Sequence, residues 1–448
     1  MRSLSPAESA LAVRIDAAAI APHYALLNRM GGNTTNGFDR PAYSDEETRV
    51  MLYFRQLAEA CGLAHRFDTC GNLIIETTSI SGQWIETGSH VDTVPGGGNY
   101  DGLAGVVAGF EALKAIRHYN RPFKHGLRLR IWRGEESASF GIASIGSRAA
   151  FGQLPPSSLS MTCRGKTMAE AMTAQGINPE VVEQGRPAIA TDELDNIAAC
   201  IELHIEQGKV LETAQLDIGI VSAIRGSRRS WVSLTGTFDH SGATPMGCHY
   251  RQDCNLAMAY MHVRLDQLLQ KHIEKGVDLV QTVGVINSHS GMHKKLAIDN
   301  NAVSKVSGAA FFSFEVRGCK AEEVTAYCAQ AEAEICKTAD EFGIRSDIEI
   351  FSEQQGLATL DETLQHCMEQ LCDSLKLSHM LMPSGAWHDA GTVAQQRRAD
   401  GSSIPVGIIF IPCKEGISHS PLESTSPEQI ATGATLLAAT MLQLAMQD

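Results

Sequence analysis

A short apolar run, a glycine-rich turn and a long amphipathic helix follow one another between residues 85 and 118, and this succession constrains the fold most. Residues 85–89 read as a strand bounded by polar residues and glycine. Beyond the turn, Leu103, Val106, Val107, Phe110, Leu113 and Ile116 recur at helical spacing, which predicts a helix over 103–118 with one apolar face. Similar strand-like segments lie at 73–76, 127–132 and 198–205. Strand, loop, helix and strand repeated in this way predict an α/β domain with a parallel or mixed sheet, whose strand ends collect chemistry.

From about residue 224 the texture changes. Strand-like 230–237, helical 253–274, strand-like 309–316 and helical 321–342 form an α+β unit of their own, lying between two stretches rich in candidate site residues. A chain of 448 residues is too long for one core. We therefore expect a catalytic domain in two parts, 1–222 and 353–448, with a second domain inserted at 223–352. Ser426, Pro427 and Gln429 form a capping box before a terminal apolar helix that runs to Met446.

Composition narrows the partners. With 37 Lys and Arg against 51 Asp and Glu, the net charge of -14 opposes attraction to nucleic acid or to anionic lipid, so neither is expected. No stretch is long and apolar enough to span a membrane. The 12 cysteines contain no CxxC pair and read as free thiols of a reducing compartment. Charged residues interrupt the first thirty positions where a secretory signal would need an apolar stretch, and a cytoplasmic protein is expected.

Four segments carry candidate chemistry. In GSHVDTVPGGGNYDG, residues 88–102, His90 can bind a metal through one ring nitrogen while Asp92 accepts a hydrogen bond from the other, fixing the tautomer. Asp101 is a second candidate ligand, with an ordinary helix cap as its alternative. Neither GxGxxG nor GxxxxGK is present, so a phosphate loop of those kinds is excluded. Glu135 and Glu136 follow the 127–132 strand. Adjacent carboxylates repel unless a cation or proton lies between them, so the pair suggests one metal ligand and one general base, with a solvated acidic turn as the alternative. His204 and Glu206 fall on one strand face by period-2 spacing, and His419 lies in a turn before the last helix. Three histidines and two carboxylates from four strand ends match the ligand set of two divalent cations bridged by a carboxylate and a water.

At these residues the sequence resembles the dinuclear-metal aminoacylase and carboxypeptidase family, within it the hydantoinase/carbamoylase branch of N-carbamoyl-L-amino-acid hydrolases and allantoate amidohydrolases. The resemblance covers nearly the whole chain. It rests on residues 88–102, on GEES with the later GSR, on LHIEQG, DHSGATPM, FEVRG, SGAWHDA and GISHSPLE, in that order. It implies an aminopeptidase-like mixed-sheet catalytic domain with an inserted ferredoxin-like lid and dimerisation domain, and hence a homodimer. It also implies two divalent ions per subunit, Zn or Mn, with Co or Ni accepted. His90 and His204 would be ligands of different ions, Asp101 the bridge, and Glu136 and His419 the remaining ligands. Glu135 would be the general base and Asp92 would orient His90. His240 would stabilise the oxyanion in a dimer partner's site, Arg317 would take the substrate carboxylate, and Gln207 with the backbone at Gly385 and Ala386 would complete the substrate pocket. The expected substrate is a small carboxylate-bearing ureido compound, hydrolysed by metal-activated water.

Two positions depart from the family pattern, both on the substrate side. Ser304 stands thirteen residues before Arg317 where the family usually has Asn, and Trp387 interrupts an otherwise SGAGHDA-like segment. Two rivals follow: a deacylase or dipeptidase with the same centre, and a metal- or ligand-binding relative without turnover. Glu135 argues against the second, since binding alone needs no general base beside a ligand.

Overall fold

The computed structural model describes residues 8, 12–119, 123–287, 300–354 and 360–446. The chain divides into two compact units, Met1–Ala223 with Ala358–Asp448, and Ile224–Leu357. In chain order the first unit begins with helices α1 (Ala17–Leu27) and α2 (Asp45–Cys61), strands β1 (Ala64–Phe67), β2 (Leu73–Glu76) and β3 (Trp84–His90), and helix α3 (Leu103–Arg117). Strands β4 (Gly126–Trp132), β5 (Ile197–Ile205) and β6 (Ile218–Ile224) follow. The second unit contributes β7 (Gly226–Thr235), α4 (Cys254–Ile273), β8 (Leu279–Thr282), β9 (Ala309–Gly318), α5 (Ala321–Glu341) and β10 (Arg345–Gln354). The chain then returns to the first unit with α6 (Glu362–Leu375), β11 (His379–Ser384), α7 (Asp389–Ala394), β12 (Val406–Ile411) and α8 (Pro427–Ala445).

In the first unit eight strands form one sheet in the order β11-β6-β12-β5-β3-β4-β2-β1. The central four, β12, β5, β3 and β4, are mutually parallel, with Phe410 opposite His204 and His90 opposite Trp132. Their carboxyl ends therefore share one edge. Strands β6 and β2 pair antiparallel to β12 and β4, which makes the sheet mixed, as the sequence predicts. Helices α3 and α8 fill one face with Val106, Val107, Phe110, Leu437 and Met441 against Leu129, Ile201, Leu203 and Ile409. Gly105 allows this approach, since a Cβ there would meet the Leu203 carbonyl oxygen at 2.1 Å. Ser426 caps α8 with Gln429 returning the bond, the capping box read from sequence.

The opposite face holds buried charge. Glu86 on β3 accepts from Arg128 Nη1 at 2.7 Å and from Arg130 Nε at 2.7 Å, and Glu193 caps the pair from outside the sheet.

The second unit has the connectivity β-α-β-β-α-β and the antiparallel order β8-β9-β7-β10, a ferredoxin-like arrangement. Helices α4 and α5 pack Met261, Leu265, Tyr327 and Ile335 on Val232, Leu234, Phe312 and Phe314. Strand β10 continues to Gln354, beyond the 352 expected for the end of the insertion. Among the described residues no helix is long and apolar enough to cross a membrane, and all 12 cysteines are free.

Candidate active site

The parallel strands deliver the site. His90 ends β3, Glu135 and Glu136 follow β4, His204 lies near the end of β5, and His419 sits in the turn between β12 and α8. Asp101 enters from the loop before α3. There Gly102 has φ +64, and a Cβ on it would lie 2.4 Å from the His90 ring, so only glycine lets the loop pass.

Asp101 is the hub. Its Oδ1 lies 3.3 Å from His90 Nε2 and 3.1 Å from His204 Nε2, and its Oδ2 lies 3.3 Å from His419 Nε2. His419 Nε2 is also 3.1 Å from Glu136 Oε1. Gln207 Nε2 and Ser418 Oγ donate to Asp101 Oδ2 at 2.5 and 2.7 Å. This arrangement bears on one expectation, that His90 and His204 hold different ions. His90 and His204 share one oxygen of Asp101, whereas His419 with Glu136 faces the other, so the two strand histidines belong to the same end of the centre. Parallel neighbours β3 and β5 bring their carboxyl ends side by side, which is the reason.

Asp92 organises the other flank. Its Oδ1 lies 3.1 Å from His90 Nδ1 and accepts the Glu135 amide at 3.0 Å, while Oδ2 accepts the Glu136 amide at 3.0 Å. Glu135 Oε1 accepts from Ser144 Oγ at 3.3 Å. Beneath lies the fully buried Arg40, which donates to the Val91 carbonyl at 2.7 Å. Burial lowers its pKa to about 10 against the opposing pull of Asp92 and Glu423.

Charge sets the protonation. Burial disfavours charging His90, but Asp101 and Asp92 outweigh it and hold the imidazole well above its usual pKa. His204 is likewise raised, against burial, by Asp101, and Asp101 and Glu136 raise His419 to about 11. Although burial opposes it, His204, His419 and His90 keep Asp101 well below the ordinary carboxylate range. Burial pushes Glu135 well above it, with Glu136, Asp389 and Asp92 adding to the effect against His90.

The donor set fits divalent ions. His90 Nδ1 is engaged by Asp92 and His204 Nδ1 by the Ile205 carbonyl at 2.9 Å, so in the neutral rings both Nε2 lone pairs face Asp101. Acceptors facing acceptors at this range need a shared proton or metal cation. Among the described residues four groups offer one ligand atom per residue at suitable spacing. Two of them share Asp101, namely His90, Asp101 and His204, and Asp101, Glu136 and His419; the others are His90, Glu135 and Glu136, and Glu202, His204 and His388.

The other expected residues come from other segments. His240, Ser304 and Arg317 belong to the second unit. His240 Nδ1 accepts the Gly242 and Ala243 amides at 3.1 Å each, which places the proton of the neutral ring on Nε2. Ser304 lends its carbonyl to the Ser241 amide at 3.0 Å, beside that loop. Arg317 donates to Glu315 at 2.9 Å. Gly385 and Ala386 form a tight turn in which Ser384 Oγ accepts the Ala386 amide at 3.1 Å and donates to its carbonyl at 2.8 Å. Glu206, expected on the His204 face, instead accepts the amides of Val210 and Leu211 at 2.7 and 2.9 Å and caps the helix Val210–Ala214. The amides that follow a strand end outbid its alternation.

Sequence reasoning passed over several buried groups. The His388 ring meets His204 edge-on at 4.6 Å, Ser147 donates to Asp389 at 2.5 Å, and Glu202 accepts the Ala390 amide at 2.8 Å. All but Glu202 sit inside motifs already singled out, yet only their three-dimensional partners show what they do.

Fold and site together define an α/β protein whose parallel strand ends present a histidine and carboxylate centre able to hold divalent cations. The sequence pattern of peptidase family M20/M25/M40 matches residues 87–443. The chain belongs to that family, and it is a hydrolase. It is 32% identical over 426 residues to an allantoate amidohydrolase of Escherichia coli (strain K12), covering 94% of this chain and 96% of the other. It is also 32% identical over 430 residues to an N-carbamoyl-L-amino acid amidohydrolase of Geobacillus stearothermophilus, covering 94% and 97%. A hydantoinase/carbamoylase family amidase from Burkholderia ambifaria superposes with a TM-score of 0.84 at 26% identity, covering 99% of each chain.

Proposed function

We propose that this enzyme hydrolyses the carbamoyl or ureido C–N bond of a small carboxylate-bearing compound, an N-carbamoyl-L-amino acid or a ureido acid such as allantoate. The observation that carries this reading is the sharing of Asp101 among three imidazoles beside the Glu135 and Glu136 pair. The relatives' names supply the substrate class.

His90, Asp101 and His204 would hold one divalent ion and Asp101, Glu136 and His419 the other, with Zn or Mn favoured and Co or Ni compatible. When bound, such ions polarise a carbonyl and lower the pKa of water toward neutrality. Glu135 then acts as general base. Its carboxylate, anchored by the bond from its backbone amide to Asp92, would take a proton from the attacking water and hand it to the departing nitrogen. Asp92 fixes both the His90 tautomer and the backbone of the two glutamates. His240 offers Nε2–H as an oxyanion donor, the role the resemblance assigns it. Arg317 supplies a guanidinium for the substrate carboxylate, exchanging its bond to Glu315 for the ligand. We extend the proposal to a homodimer built through the inserted unit and to a cytoplasmic location, which the free thiols support.

The test is ammonia release from N-carbamoyl-L-amino acids, allantoate and ureidoglycolate by Mn- or Zn-reconstituted protein, with N-acetyl amino acids and dipeptides followed by amine release. Ammonia from a ureido acid is the expected result. Turnover confined to acyl or peptide compounds would move the enzyme to the deacylases.

A further inference from the structure

Glu423, the last residue of GISHSPLE, has no part in the chemistry above, yet it is buried against it. Its Oε1 accepts the backbone amides of Tyr100 and Asp101 at 2.8 and 2.9 Å. Its Oε2 accepts the His419 amide at 3.2 Å and lies 3.0 Å from Ser418 Oγ, whose single hydrogen is shared with Asp101 Oδ2. One carboxylate thus collects three backbone amides and a shared hydroxyl from two segments that lie 322 positions apart for the Asp101 bond. The fit is close. A Cβ on Gly98 would come within 2.2 Å of the Glu423 carboxyl, which accounts for the glycine at that position. His419 has φ +56, a backbone conformation costly for a residue other than glycine, and its amide is held by Glu423.

We propose that Glu423 is a positioning residue that fixes the distance between Asp101 and His419, and so sets the affinity of the ion held by Asp101, Glu136 and His419. Its two oxygens act on different segments, with Oε1 holding the Asp101 loop and Oε2 holding the His419 turn. A carboxylate can serve both, because each oxygen only accepts. An amide cannot, since its NH2 faces donors whichever way it is turned.

The inference rests on the two-ion reading of the centre, and the experiment separates the two. Titration calorimetry of metal-free protein with Mn, together with bound-metal analysis, is run on wild type, Glu423→Gln and Glu423→Ala. Thermal unfolding of the metal-free forms and kcat and KM across Mn concentrations complete the set. Two ions are expected on wild type. On Glu423→Gln one ion keeps its affinity, the other weakens about 10- to 100-fold, kcat recovers as Mn is raised, and KM at saturating Mn is unchanged. Glu423→Ala exceeds that loss. Two ions bound to Glu423→Gln at wild-type affinity would overturn the inference. So would equal weakening of both ions accompanied by a lowered unfolding temperature, which would mark a general structural role. Fewer than two ions on wild type would overturn the two-ion reading itself.

Discussion

Gln207 donates its side-chain amide to Asp101 Oδ2 at 2.5 Å, while its own Oε1 is buried and meets no donor among the described residues. The residue also has φ +58. A buried carbonyl without a donor costs about 1–3 kcal/mol and is suited to a ligand that brings an N–H, as the terminal NH2 of a ureido group does. Gln207→Ala should therefore lower kcat/KM for ureido substrates by roughly 5- to 150-fold, while metal content stays at the wild-type level. Steady-state kinetics with bound-metal analysis checks both halves. Unchanged kcat/KM would remove Gln207 from the substrate pocket.

The three imidazoles around Asp101 make ion binding a proton-releasing reaction. His90, His204 and His419 all have raised pKa values, His419 to about 11, so the metal-free centre favours the protonated imidazoles. A metal ligand must give its proton up, hence affinity rises with pH and falls on acidification, by up to about tenfold per pH unit for each proton displaced. Titration calorimetry at two pH values, in buffers of different ionisation enthalpy, should show that release. Heats independent of buffer would contradict it.

Glu135 is the expected general base, and the backbone bond from its amide to Asp92 fixes where its side chain begins. Glu135→Gln should reduce kcat by about 10²–10⁴ while two ions still bind, because the amide cannot take a proton. Stopped assays with bound-metal analysis decide it. A variant that retained wild-type kcat would refute the mechanism.

Much of this arrangement is legible in the sequence because it is local. The α3 face repeats at helical spacing, the apolar runs that become β3, β4 and β5 end on the residues of interest, and the Ser426 box lies within four residues. His90, Glu135, Glu136 and His204 stand out because they sit just where parallel strands stop. What escapes the sequence is long-range. Glu423 is defined by amides at Tyr100 and Asp101, Arg40 by the Val91 carbonyl, and Asp389 by Ser147, and no spacing rule links such positions. The sorting of histidines between the two oxygens of Asp101 escaped for the same reason, since it depends on which strands are neighbours. Glu206 shows the opposite error: period-2 alternation holds only while the strand lasts, and β5 ends at Ile205.

Glu86 is the buried charge most exposed to a stability test. It lies in the centre of the sheet, 2% exposed, bound by Arg128 and Arg130. Burial opposes its ionisation, but the two guanidinium groups outweigh this and lower its pKa below 4.5. A carboxylate with a depressed folded-state pKa contributes stability that is fully present above its unfolded value and is lost as pH falls through the folded one. Glu86→Gln should destabilise the fold at pH 7 by about 3–5 kcal/mol, because Arg130 keeps its charge in the core with only Glu193 left to meet it. The variant should lose less than wild type between pH 7 and pH 4, since the titrating group is gone. Urea unfolding of both proteins across that range measures the two effects, and equal midpoints at pH 7 would show that the ion pair adds nothing to stability.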